Sequence, residues 1–253
     1  MPLPPEPPGA AGHPLAAADP AGKPLSATRP LLRLVLAVSL DGRLAPPGGG
    51  AAQIGGPADR RVLEEALAWA DAALVGAETL RRHGSTCLIR DVDLLERRRL
   101  EGRPPQPLAL AVSRSGRLPE SLPFFRQPLE RWLLAPVLSG VSAGEPPPGF
   151  SRHRVLEAWP SQLESLAGLG LSRLLLLGGA RLAAALLAEN LVDELQLTLC
   201  PMLLGGRHSW LPPEASLPAA GSWRLLESRP IGGEELLLRY GRGSGTPSSS
   251  EAP

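Results

Sequence analysis

The 253-residue chain has little net charge, few cysteines, few aromatics and no long apolar run. Its 26 bases and 25 acids leave a net charge of +1. A broad nucleic-acid surface is therefore excluded, since it would need Lys and Arg in excess or gathered on one face. Trp69, Trp132, Trp159, Trp210 and Trp223 are scattered, without the stripe that base stacking requires. Cys87 and Cys200 cannot build a disulfide framework. Neither stands in a Cys-x-x-Cys or beside a histidine at ligand spacing, so no metal site is expected. A reduced, cytoplasmic protein is the expectation. Arg33, Asp71 and Arg181 interrupt the most apolar segments before they reach the roughly 20 residues of a membrane span.

Proline and glycine are abundant, at 30 and 28. That is too many for a compact core throughout, so part of the chain should be unstructured. Residues 1–30 hold nine prolines and almost no large apolar side chains. They read as a disordered arm, and without an apolar run of 7–15 residues not as a signal peptide. The Gly-, Ser- and Pro-rich tail 243–253 reads the same way, as do the loops Pro46–Gly50 and Gly144–Gly149. One domain, 31–242, remains.

Within it, strands and helices alternate. Leu31–Ser39 is a continuous apolar run of strand length, suited to burial on both faces. Pro57 suits the first position of a helix continued by Val62, Leu63, Ala66, Leu67 and Ala70. Strands are expected at Ala72–Val75, Leu108–Val112, Trp132–Ala135, His153–Leu156, Arg173–Leu177 and Asp193–Leu199. Helices are expected at Pro160–Ala167 and Leu182–Ala188. The charged run Glu96–Glu101, with Arg97, Arg98 and Arg99, reads as a solvated helix face. Trp223–Ser228 and Glu234–Tyr240 form a C-terminal hairpin. The expected fold is α/β, three-layered, with a mostly parallel sheet and an antiparallel hairpin.

Two strands stop at glycine: Asp71–Thr79 (DAALVGAET) and Leu174–Ala185 (LLLLGGARLAAA). A glycine pair followed by a helix N-terminus can cradle a phosphate, and it can also be no more than a tight turn. Parallel strands would bring Gly76 and Gly178-Gly179 to one sheet edge, facing one cleft.

The ordered motifs carry a family resemblance. Val38-Ser39-Leu40-Asp41-Gly42 is followed by Asp71-Ala72, Val75-Gly76 and Thr79, then by Gly178-Gly179-Ala180 and Leu191-Val192-Asp193-Glu194-Leu195. Pro201 with Leu203-Leu204-Gly205-Gly206 closes the series. This resembles the reductase domain of the riboflavin-biosynthesis deaminase/reductase, a member of the dihydrofolate-reductase-like fold, over about residues 31–241. The resemblance implies NADPH as cofactor and reduction of 5-amino-6-(5-phosphoribosylamino)uracil to its ribityl form. A zinc deaminase would carry H-x-E…P-C-x-x-C, which does not occur here, so a stand-alone reductase is expected.

By the same resemblance, Val38, Gly76, Thr79 and Gly178, Gly179, Ala180, Arg181 and Leu182 would hold the cofactor. Arg114, after the third strand, could reach its 2′-phosphate. Arg90 would bind the substrate phosphate and Ser39 would contact substrate, while Asp41 and His83 are the candidate proton donors. Asp41-Gly42 could equally be only a turn, and His83 only an exposed histidine. The chain departs from the family pattern at Ala51-Ala52-Gln53, Leu67, His83-Gly84-Ser85 and Leu177. These losses of polar contacts leave open a same-fold reductase with another small-molecule substrate, or a non-catalytic ligand-binding paralogue. No nucleic-acid or membrane partner is expected. A homodimer is, through the half-apolar hairpin carrying Leu225, Leu236 and Leu238.

Overall fold

A computed structural model describes residues 28–50, 54–137, 145–213, 215–217 and 222–243. The departure at Ala51-Ala52-Gln53, most of the arm 1–30 and nearly all of the tail 243–253 lie outside them.

One nine-stranded sheet organises the described residues. Its strands are β1 (Leu31–Ser39), β2 (Ala72–Gly76), β3 (Leu108–Val112), β4 (Arg131–Ala135), β5 (Arg152–Val155), β6 (Arg173–Leu176), β7 (Glu194–Cys200), β8 (Trp223–Gly232) and β9 (Glu235–Arg242). Their order is β5-β4-β3-β2-β6-β1-β7-β9-β8. Every pair from β5 through β7 is parallel, whereas β9 runs antiparallel to both β7 and β8. The hairpin therefore extends the sheet, with β9 interior and β8 at the edge.

Among the described residues, five α-helices cover the two faces: α1 (Pro57–Trp69), α2 (Ala77–His83), α3 (Val92–Leu100), α4 (Trp159–Ala167) and α5 (Ala180–Ala188). From β1 the chain steps outward to β5, then returns to β6 and β7. Right-handed crossovers put the helices of the outward and return journeys on opposite faces. Accordingly Leu67 of α1 and Leu94 of α3 pack on Ala73 and Leu175, and Leu80 of α2 packs on Val75. Leu163 and Leu166 of α4 and Leu186 of α5 pack on Leu34, Leu74 and Leu176 beneath the other face. The three layers are those expected.

Three local expectations need correction. Pro46–Gly50, expected to be unstructured, is a turn closed by Gly49 N–H donating to the Pro46 carbonyl. It packs on the 205–208 segment, where a Cβ at Gly206 would press on Pro47. Arg29, assigned to the disordered arm, donates two hydrogen bonds of 2.8 and 2.6 Å to Asp193. Arg98, assigned to a solvated face, is 1% exposed. Its guanidinium donates to the carbonyls of Leu67, Ala68 and Ala70 as well as Pro104. Those are carbonyls at the end of α1, which lack intrahelical partners and sit at the helix's negative pole. Arg103 completes the cap on Ala68, Trp69 and Ala70 and pairs with Asp71.

Candidate functional site

The C-terminal ends of β2 and β6 meet as anticipated. Gly178 and Gly179 have φ of +77° and +93°, backbone that side chains rarely tolerate. A Cβ on Gly179 would stand 3.2 Å from the Thr79 hydroxyl and 4.0 Å from the Gly76 Cα. The two strand ends therefore approach closely, and a side chain at Gly179 would crowd the Thr79 hydroxyl. Gly76 caps α2 and Gly179 caps α5, and neither helix start has a side-chain cap. Two sets of unpaired helix N–H groups thus converge on one spot, an arrangement suited to an anionic ligand. Val112, at the end of β3, is paired with Gly76, so exposed Arg114 stands two residues beyond the same edge.

Beside this edge, on the α1 face of the sheet, lies a cavity of about 130 Å³. Val35 and Ala37 of β1, Leu177 after β6, Asp59 and Leu63 of α1, and Cys87 line it. The period-two alternation of β1 assigns these walls: Leu34, Leu36 and Val38 turn to the α5 face, Val35 and Ala37 to the cavity. A shallower depression of about 310 Å³ lies on the outer side of α3, around Val92, Leu95 and Arg103. Arg103 pairs with Asp71, which precedes β2, so that depression lies toward the opposite edge of the sheet.

Buried acids hold the cavity's walls. Glu235 of β9, 5% exposed, accepts from the N–H groups of Gly56 and Asp59 and so caps the start of α1. Glu64 accepts from Arg60 and from the N–H groups of Arg90 and Asp91, which ties the Cys87 loop to α1. Burial alone would raise the Glu64 pKa, but these donors hold it below the ordinary value. Burial raises the Asp59 pKa, and the neighbouring Glu235 adds to the rise while the Thr198 hydroxyl and Arg60 oppose it. Burial also pushes up the Cys87 thiol, leaving it protonated and unreactive.

The RibD C-terminal domain family matches residues 30–237. The chain belongs to that family. A reductase of Methanothermobacter thermautotrophicus, named for 2,5-diamino-6-ribosylamino-4(3H)-pyrimidinone 5′-phosphate, is 31% identical over 226 residues, covering 84% of this chain and 98% of that one. A reductase of the same name from Archaeoglobus fulgidus is 28% identical, over 72% of this chain and 84% of its own. Among solved structures, RibD of Acinetobacter baumannii superposes with a TM-score of 0.71 at 23% identity. That match covers 85% of this chain and 58% of the RibD chain.

Of the residues singled out in this RibD-family chain, the fold gathers Gly76, Thr79, Gly178, Gly179, Ala180, Arg181 and Leu182 at the glycine edge. Val38 is 2% exposed and turned into the core. Ser39 and Asp41 are given to each other and not to the cavity: the Ser39 hydroxyl donates to Asp41 and accepts from Arg43 N–H. Asp41 also accepts from Leu204 and Gly205 N–H. With those donors its pKa falls to about 2, led by the Ser39 bond. A carboxylate so held anchors the 202–205 loop and has no proton to donate near neutral pH. His83 is the exposed last residue of α2, a six-residue rise or about 9 Å along the helix from the edge. Arg90 is exposed on the loop that ends at Asp91. Leu177 lines the cavity, but Leu67 is packed between α1 and α3. Sequence reasoning passed over Val35, Ala37, Asp59, Leu63 and Cys87. The alternation along β1 was a legible signal for the first two, and Asp59 had none beyond its place in a first helical turn.

Proposed function

We propose that this chain is an NADPH-dependent reductase of riboflavin biosynthesis, reducing the ribosylamino group of a pyrimidine 5′-phosphate to the ribitylamino form. The observation that carries this reading is the close approach of Gly76 and Gly179 beside a cavity of about 130 Å³. The names of the archaeal relatives supply the substrate class. Both name a 2,5-diaminopyrimidinone, which differs from the expected uracil only in its 2-substituent.

The residues fit a nicotinamide dinucleotide: Gly178 and Gly179 adopt positive φ, a Cβ on Gly179 would crowd Thr79, and two helix starts without side-chain caps lie at this edge. Gly76, Thr79 and Gly178 through Leu182 would hold the pyrophosphate, and Arg114 the 2′-phosphate. Bound there, NADPH would supply a hydride for the ribosyl carbon. Val35, Ala37, Leu63 and Leu177 would exclude water from the ring, and Arg90, exposed on the loop that follows Cys87, would pair with the substrate phosphate. His83 is the exposed candidate donor for the proton that ring opening requires.

Loss of NADPH absorbance on adding the ribosylaminopyrimidine phosphate tests the reading. No NADPH binding by fluorescence titration at about 100 µM, within the usual span of KM values, would overturn it. We further propose a cytoplasmic homodimer. Cys87 and Cys200 are free thiols, in keeping with a reducing compartment. Edge strand β8 exposes half of Leu225. A light-scattering mass of 26.6 kDa, unchanged on dilution, would rule the dimer out.

A further inference from the structure

The cavity holds one group that its apolar walls do not call for. Asp59 stands in the first turn of α1, where an acid ordinarily serves the helix's free N–H groups. Here Glu235 reaches across from β9 and takes the N–H groups of Gly56 and of Asp59 itself. Asp59 is thus released from capping. Its carboxylate lies over Gly55, where a Cβ would overlap it, and faces the cavity between Leu63, Cys87 and Leu177. The Thr198 hydroxyl donates to it, and its remaining lone pairs stand toward the cavity, where a ligand's donors would offset the cost of burial.

Resting on the reductase reading above, we propose that Asp59 reads the substrate ring and selects a 2-amino-4-pyrimidinone over a uracil. An ionised carboxylate offers two acceptors and no donor. A 2-amino-4-pyrimidinone presents an amino N–H and a ring N–H side by side, on the edge away from the ribosyl arm. Two parallel donors meet two acceptors, as in a carboxylate–guanidinium pair. A uracil in the same pose replaces the amino group with a carbonyl, so one oxygen of Asp59 faces another oxygen. Sites built around a hydrogen bond reject a partner that cannot complete it far more strongly than apolar pockets reject a missing methylene.

The surroundings give the preference a pH dependence. Asp59 faces Glu235 of β9, Thr198 and Cys200 of β7, Arg60 of its own helix and Cys87 of the neighbouring loop. Burial and Glu235 raise its pKa. As pH falls through that value, one acceptor becomes a donor. The protonated acid then matches a uracil's N–H and carbonyl pair.

The test compares kcat/KM for the 2-amino and 2-oxo ribosylaminopyrimidine 5′-phosphates in the wild type and in Asp59→Asn. Alongside it, calorimetry with NADP⁺ present measures binding of two unreactive rings, triaminopyrimidinone and diaminouracil. The wild type should favour the 2-amino compounds by about tenfold or more in both measurements, and the preference should weaken in acid. Asparagine is of the same size and carries one acceptor and one donor. It should bring the ratio near one or reverse it, mainly through KM and ring affinity, with no acid dependence. Equal use of both compounds by the wild type, or an equal loss on both in the variant, overturns the proposal. If neither phosphate turns over yet the rings are discriminated through Asp59, the reductase reading fails and this one stands. Turnover of both without discrimination does the reverse, and neither binding nor turnover overturns both.

Discussion

The two halves of the site are made of different material. The glycine edge is backbone: Gly76, Gly178 and Gly179 bring strand ends and helix starts together, and what matters is the absence of side chains. The cavity is side chain, and its decisive acid is placed by a partner from elsewhere in the chain. Asp59 and Glu235 are 176 residues apart, and α1 is held between Glu235 at its start and Arg98 with Arg103 at its end. A backbone cradle serves a cofactor shared by many substrates, whereas a side-chain wall can be retuned for one ring. This contrast leaves room for a chain that keeps its glycines yet carries Leu177 in the cavity wall.

Breaking the wall should have the largest effect. Arg98→Ala strips a buried guanidinium from carbonyls at the end of α1. A loss of about 3 kcal/mol is expected, or roughly 10 °C in Tm for a domain of this size. Denaturant melts would check it, and a loss under about 1 kcal/mol would mean the cap is idle. NADPH affinity of the folded variant should stay within about threefold, because the glycine edge does not touch α3.

The converse experiment is Gly179→Val. A β-branched residue at φ +93°, crowding Thr79, strains the turn by about 1–3 kcal/mol. NADPH Kd should rise at least about tenfold, the counterpart of 1.4 kcal/mol, while ring binding in the cavity is spared. Equal loss of both ligands would show that the two halves are one cooperative unit.

A smaller effect is expected from Asp59→Asn on stability. Asp59 has a raised folded pKa, so the native state takes up its proton more readily than the unfolded chain and ionisation destabilises the fold. The variant should melt higher at pH 7. That gain should shrink as pH falls toward the ordinary carboxylate range, where wild-type Asp59 is also neutral. Melting curves from pH 7 to pH 4 decide it, and a gain independent of pH would place its origin elsewhere.

The smallest effect belongs to Asp41, whose sign is opposite. Its folded pKa of about 2 lies below the ordinary 3.8. Its stabilisation is therefore complete above pH 3.8 and lost as pH falls through about 2. The Tm difference between wild type and Asp41→Asn should be constant near neutrality and close across that window. A difference that closes already between pH 7 and pH 5 would contradict the Ser39–Asp41 bond.

Legibility follows the same division. β1 and β3 occupy the spans read from their apolar runs, Leu31–Ser39 and Leu108–Val112, because strands buried on both faces leave no polar break. α2 escaped notice because only Ala77 and Leu80 of its seven residues are buried. α3 buries only Leu94 and Arg98, so no apolar stripe marks it, and its buried arginine looks like its exposed neighbours Arg97 and Arg99. In Glu234-Glu235 nothing local says which acid turns inward. The register of β9 against β7 and the bulges of β8 decide that Glu235 meets α1.

The sequence by itself determined the alternation of strands and helices, the glycines at two strand ends and the family to which they belong. Each of these rests on periodicity or backbone freedom within a few residues. Tertiary structure alone decided which charges are buried: Arg98 on the carbonyls of α1, Glu235 on its N–H groups, and Asp59 set facing the cavity as a result. A charge enters the interior only where a distant partner compensates its lost hydration, and that partner's place depends on the fold of the whole sheet.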